Sequence, residues 1–104
     1  MARKGGVAWG AALDVLGASV AASPLLAYKL APLRARDFSP AFSVAQMAKD
    51  MRLVAETAAA VGTPGPLAEL VRGLYARQAD AGLGELDFFA AVLAAESAAG
   101  LGEP

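Results

Sequence analysis

Apolar side chains recur along this chain at helical spacing, and nowhere do they alternate strictly as a half-buried strand would. Trp9, Leu13 and Leu16, with Ala12 between them, mark a first helix over residues 7–18, with Gly17 near its natural end. Ser23-Pro24 reads as an N-cap followed by proline at the first helical position. A short helix then runs through Leu25, Leu26, Tyr28 and Lys29 to about residue 30, where Pro32 should end or kink it. Residues 34–41 read as a loop. Phe38 and Phe42 flank Ser39-Pro40 there, and such aromatics either plug a core edge or line a cleft.

The most periodic stretch follows. Ser43 is a good N-cap, and Gln46 three residues later completes a capping box. Val44, Met47, Met51, Val54, Ala58 and Val61 then predict one continuous buried stripe, closed by Gly62 as a left-handed stop. After the rigid turn Thr63-Pro64-Gly65-Pro66, the residues Leu67, Leu70, Val71, Leu74 and Tyr75 predict an amphipathic helix over 66–81, stopped by Gly82. Asp87 caps a last helix whose apolar face is Phe88, Phe89, Val92 and Leu93. Five helical segments with short loops and no internal repeat give an all-α class, orthogonal or bundle-like. The expected organisation is a helical domain over 7–99, a disordered or truncated start at 1–6 and a flexible tail at 100–104.

A length of 104 residues suits one domain. Charged residues make up 18%, below the roughly 25% of a typical soluble domain. Much of the 57% hydrophobic content is alanine, which suits close-packed helices burying small faces against another surface. Histidine and cysteine are absent, which removes disulfides, thiolate metal sites and the usual acid–base switch. Residues 1–52 carry seven Lys/Arg against three Asp/Glu, and residues 53–104 carry two against seven. That bias is too dispersed for a nucleic-acid-binding face, and would suit an anionic ligand near the first half. The apolar run over 7–16 is too short to span a bilayer and is broken by Gly10 and Asp14. Asp14 also argues against a signal peptide, so a cytoplasmic protein without membrane or nucleic-acid partners is expected.

The chain contains no Gly-rich phosphate cradle, no metal-ligand spacing and no Ser/His/Asp or Cys/His arrangement. No catalytic residue and no metal site are therefore expected in it. Arg52 and Glu56, four apart, should pair weakly on the surface, where Glu69 also lies. Lys49 and Asp50 differ. Asp50 falls just beside the apolar stripe, and Lys49 lies about a third of a turn further out. A carboxylate at the edge of a buried face needs a donor, and a lysine beside it could be held towards a cleft. The pair is either a binding feature or a helix-surface salt network.

The segment from Phe42 to Leu53, with Lys49-Asp50 seven and eight residues after the phenylalanine, resembles the C-terminal helical domain of the β-hydroxyacid dehydrogenases. That family includes 3-hydroxyisobutyrate dehydrogenase and tartronate semialdehyde reductase, and its domain is similar to the C-terminal part of 6-phosphogluconate dehydrogenase. Leu13-Asp14-Val15-Leu16-Gly17-Ala18-Ser19, Ala21-Ala22-Ser23-Pro24-Leu25-Leu26, Arg36-Asp37-Phe38, Leu74-Tyr75 and Gly82-Leu83-Gly84-Glu85-Leu86-Asp87 resemble further family segments in the right order. The resemblance implies a domain of an NAD- or NADP-dependent oxidoreductase acting on small hydroxy acids or semialdehydes. It would close the cleft over a Rossmann domain and supply a dimer contact. Phe42 would lie by the nicotinamide and substrate, Lys49 would contact the cofactor, and Asp50 would shape the site.

Nothing in the sequence matches the family's Gly-x-Gly-x-x-Gly domain or its interdomain helix with the catalytic lysine. Neither Lys4 nor Lys29 sits in that motif. Alone, the chain is expected to be inactive and to work with a Rossmann-domain partner. The alternative is a free-standing helical oligomerisation module derived from such a domain. Either way a homo-oligomer is expected, because a face left open by a missing helix attracts a partner.

Overall fold

A computed structural model describes Met1–Pro104. It contains five α-helices and no strand: α1 (Trp9–Ala18), α2 (Pro24–Ala35), α3 (Val44–Ala60), α4 (Pro66–Gln78) and α5 (Ala91–Ala98). The class is all-α, as the periodicity predicts. No helix is long and apolar enough to cross a membrane. Two compact units emerge, one of residues 1–38 with 95–104 and one of residues 39–94.

In the first unit, α1 packs on α2 around Leu13 and Leu33, both buried. Trp9 Nε1 donates to the Leu33 carbonyl at 3.0 Å. Gly17 is the penultimate residue of α1, near its end as read from the sequence. A Cβ there would stand 2.8 Å from Leu30 Cδ1, so any larger residue would make that leucine side chain shift. The Ser23 hydroxyl accepts from Leu26 N, and Pro24 occupies the first turn, as read from the sequence. Pro32 does not end α2. The proline removes the N–H that would otherwise bond to the Tyr28 carbonyl, yet the helix continues to Ala35. The chain leaves at Arg36, which is left-handed with φ 55. Arg36 N donates to Leu33 O at 3.2 Å and Asp37 N to Pro32 O at 2.9 Å, which is a Schellman closure.

Residues 3–5 form a 3-10 turn that the sequence pattern does not announce. Lys4 Nζ donates to Ala99 O and Arg3 Nη2 to Gly102 O, both at 2.8 Å. Cations thus meet carbonyls at and beyond the end of α5, where the helix dipole is negative. A second Schellman closure ends that segment, with Gly100 at φ 65 and Leu101 N donating to Glu96 O at 2.9 Å.

In the second unit, α3 starts with the full capping box and ends in a third Schellman closure at Gly62, φ 69. There Thr63 N donates to Ala58 O at 2.9 Å. α3 and α4 make the most extensive helix contact of the chain. After Gln78 the backbone widens into a π-type turn, Ala79–Leu83, broken by Gly82 at φ 88. A 3-10 turn, Phe88–Ala90, leads into α5. Val44 and Ala90 are fully buried. The apolar stripe of α3 is not buried throughout, contrary to its reading from periodicity. Val44 is enclosed and Met47 and Met51 are half-buried, but Val54 and Val61 are 47% and 69% exposed. The cause is that no element of the chain covers the outer end of that stripe.

Candidate functional site

Phe42 precedes Ser43, the residue that starts α3, and its backbone is held from both sides. Its N–H and that of Ala41 donate to Asp87 Oδ2 at 3.4 and 3.1 Å. Its carbonyl accepts from Phe88 N at 2.8 Å. The next residues continue the seam, with Val44 N donating to Leu86 O at 2.8 Å and Ala45 N to Gly84 O at 3.0 Å. Ser43 and Asp87 form an isolated antiparallel bridge. The Phe42 ring meets Phe88 edge-on with centroids 6.1 Å apart, and Phe88 lies 4.7 Å from Phe89. Tyr75 Oη donates to Phe88 O at 3.3 Å. Burial, and then the charge of Asp87, raise the Tyr75 phenol above its usual range.

Lys49 and Asp50 stand further along α3. From Val44 they lie about 8 and 9 Å up the axis and about 140° and 240° around it, on the side of the helix away from the buried Val44. Lys49 Nζ is 3.4 Å from Asp50 Oδ1, with side-chain exposures of 57% and 47%. The two side chains therefore pair, and the pair remains half in solvent. Arg52 and Glu56 pair at 3.0 Å, also exposed. Beyond Asp50, an open apolar depression of about 440 Å³ is lined by Leu53, Val54, Thr57, Ala58, Val61 and Thr63. Asp50, Val54, Thr57 and Val61 follow one another at helical spacing, so the carboxylate marks one end of an apolar row.

The structure does not bring the three residues into one cluster. Lys49 joins Asp50, while Phe42 joins Phe88. Phe42 is fixed just before α3, and Lys49 and Asp50 stand on that helix six and seven residues after its Ser43 cap. Asp87 is the residue whose reach the sequence understates. It does cap the following turn, with Oδ1 accepting from Phe89 N at 3.2 Å. Its second oxygen reaches a loop 45 residues away, and the side chain is only 3% exposed.

An all-α domain similar to this one forms part of known dehydrogenases. Residues 1–95 match the family described as the NAD-binding domain of NADP-dependent 3-hydroxyisobutyrate dehydrogenase, and the chain belongs to that family. Among solved structures it is similar to the 3-hydroxyisobutyrate dehydrogenase of Salmonella typhimurium. The TM-score is 0.80 at 27% identity, over 88% of this chain and 32% of that one. It is also similar to the 3-hydroxyisobutyrate dehydrogenase of Mycobacterium tuberculosis, determined with L-serine. There the TM-score is 0.73 at 28% identity, over 89% and 34% of the two chains. The chain thus spans about a third of the length of these dehydrogenases. A comparison with curated protein sequences finds no match.

Proposed function

We propose that this chain is the helical, cleft-closing and dimer-forming half of an NAD- or NADP-dependent dehydrogenase for small β-hydroxy acids or their semialdehydes. The observation that carries the reading is the frame at the start of α3. Phe42 is fixed through its N–H and its carbonyl, and an accessible ammonium is held on the helix that follows, in a chain of an NAD-binding family. The donor set fits contact with the edge of a dinucleotide, not its whole capture. Lys49 offers one point charge, partly balanced by Asp50 at 3.4 Å.

When bound, the nicotinamide would supply hydride acceptance or donation. Phe42 would wall the site and exclude water, Lys49 would meet the anionic cofactor, and Asp50 would steer the Lys49 ammonium. L-serine, present with the Mycobacterium tuberculosis relative, is itself a small β-hydroxy acid, which supports that substrate class. The general acid–base group and the phosphate cradle would come from a Rossmann-domain partner, so the 104-residue chain by itself should be inactive.

The test joins the chain to the cofactor-binding domain of a relative and measures NAD(P)-dependent oxidation of 3-hydroxyisobutyrate and serine. Activity should appear only in the joined protein. There Lys49→Ala should raise KM for the cofactor about tenfold, the worth of one charge-assisted hydrogen bond. An unchanged KM would remove Lys49 from the site.

A further inference from the structure

We infer that Asp87 is a positioning residue for Phe42, a step that rests on the role proposed for Phe42 above. The loop before α3 has no helical hydrogen bonds of its own, so some other element must fix the angle at which Phe42 is presented. Asp87 does so with two oxygens aimed in different directions. Oδ1 accepts from Phe89 N at 3.2 Å, which fixes the carboxylate on its own turn. Oδ2 accepts from Ala41 N at 3.1 Å and Phe42 N at 3.4 Å, which fixes the loop to the carboxylate. An ionised carboxylate has about four acceptor sites and no donor, so it can serve three N–H groups at once. Such charge-assisted bonds are also stronger than neutral ones.

The neighbouring contacts make the clamp directional. Phe88 N donates to Phe42 O at 2.8 Å, so the residue after Asp87 holds the other side of the same residue. The Phe88 ring abuts the Phe42 ring edge-on at 83°. Phe88 O is in turn tied by Tyr75 Oη at 3.3 Å. Any shift of Asp87 would therefore move the Phe42 backbone and the surface its ring rests on together. Small misplacements of groups remote from the reacting atoms can cost about a hundredfold in rate.

Asp87→Ser separates the clamp from the cap. Serine is as good an N-cap as aspartate, so the bond to Phe89 N can persist, but the shorter side chain has no second oxygen for the loop. Amide hydrogen exchange on the full chain should show protection of Ala41 and Phe42 falling about tenfold, with Phe89 and the helices unchanged. In the joined enzyme, Asp87→Ser should lower kcat about tenfold or more and leave the cofactor KM unchanged. The double variant with Phe42→Ala should be no slower than Phe42→Ala alone. Persistent protection of Ala41 and Phe42, or rate losses that add, would overturn the proposal. If Phe42→Ala itself leaves kcat unchanged, the site reading falls together with the kinetic half of this one. The exchange result would then identify the clamp as a purely structural feature.

Discussion

Arg36 holds a left-handed backbone, φ 55, that costs a non-glycine residue about 1–2 kcal/mol. Its side chain explains why glycine is not there. Nη1 and Nη2 donate to Glu96 Oε1 and Oε2 at 3.1 and 2.7 Å. The guanidinium also lies 5.8 and 5.7 Å from the rings of Trp9 and Phe38. Arg3 pairs with the same carboxylate, which is almost fully enclosed. The hydrogen bond from Arg36, helped by that from Arg3, outweighs burial and holds the Glu96 carboxyl below its usual 4.5. The same bond raises Arg36, so the two partners agree in direction. A carboxyl depressed in the folded state adds stability that is fully present above 4.5 and is lost as pH falls below it. Thermal melts should therefore show an acid limb beginning below about pH 4.5 that Glu96→Gln flattens. At neutral pH, Arg36→Gly should lose about 2 kcal/mol net, because a partly buried carboxylate loses its best partner while backbone strain is relieved. A gain in stability on that substitution would mean that the strain, not the pair, dominates at this corner.

At the scale of elements, α3 depends on how it starts. Gln46 N donates to Ser43 Oγ at 3.1 Å and Ser43 N to Gln46 Oε1 at 2.8 Å. Ser43→Ala should cost about 1 kcal/mol, seen as a fall in melting temperature of about 5 °C. No change would mean that the seam from Val44 and Ala45 to Leu86 and Gly84 holds the start unaided. This capping box, the proline at the start of α2 and the Gly62 stop were all legible in the sequence, because each is a local hydrogen-bond pattern with its own residue signature. The end of α2 was not. Pro32 looks like a stop, whereas the true exit uses an arginine whose left-handed backbone depends on a carboxylate 60 residues later. Likewise Asp87 could be read as a local cap, but no spacing rule reveals that its second oxygen serves Ala41 and Phe42. Lys49 and Asp50 could be read as a binding feature or a surface salt network, and the 3.4 Å contact between them fits the second. Periodicity marked the α3 stripe as apolar, but it could not say that part of the stripe would stay uncovered.

On the scale of the whole molecule, each unit encloses little apolar volume: Leu13 and Leu33 in one, Val44 and Ala90 in the other. Several leucines and valines are on the outside. Leu67, Leu70 and Leu74, at i, i+3 and i+7 on α4, are 77%, 59% and 42% exposed. They form a stripe of the kind helices bury, while Val71 and Tyr75 are among the half-buried positions of that helix. Fully burying a leucine contributes about 1.5–3 kcal/mol, so three of them on one helix supply a strong drive to associate. We therefore expect the chain to sediment as a dimer or higher oligomer at micromolar concentration. Leu70→Glu should shift it towards monomer without loss of helical circular dichroism, since Leu70 makes little of the internal core. Glutamate would instead place a charge where a partner must dehydrate it. A wild-type chain that stays monomeric under those conditions would show that the α4 stripe has no copy of itself to meet. The dimer contact proposed for this half of the enzyme would then have to lie elsewhere.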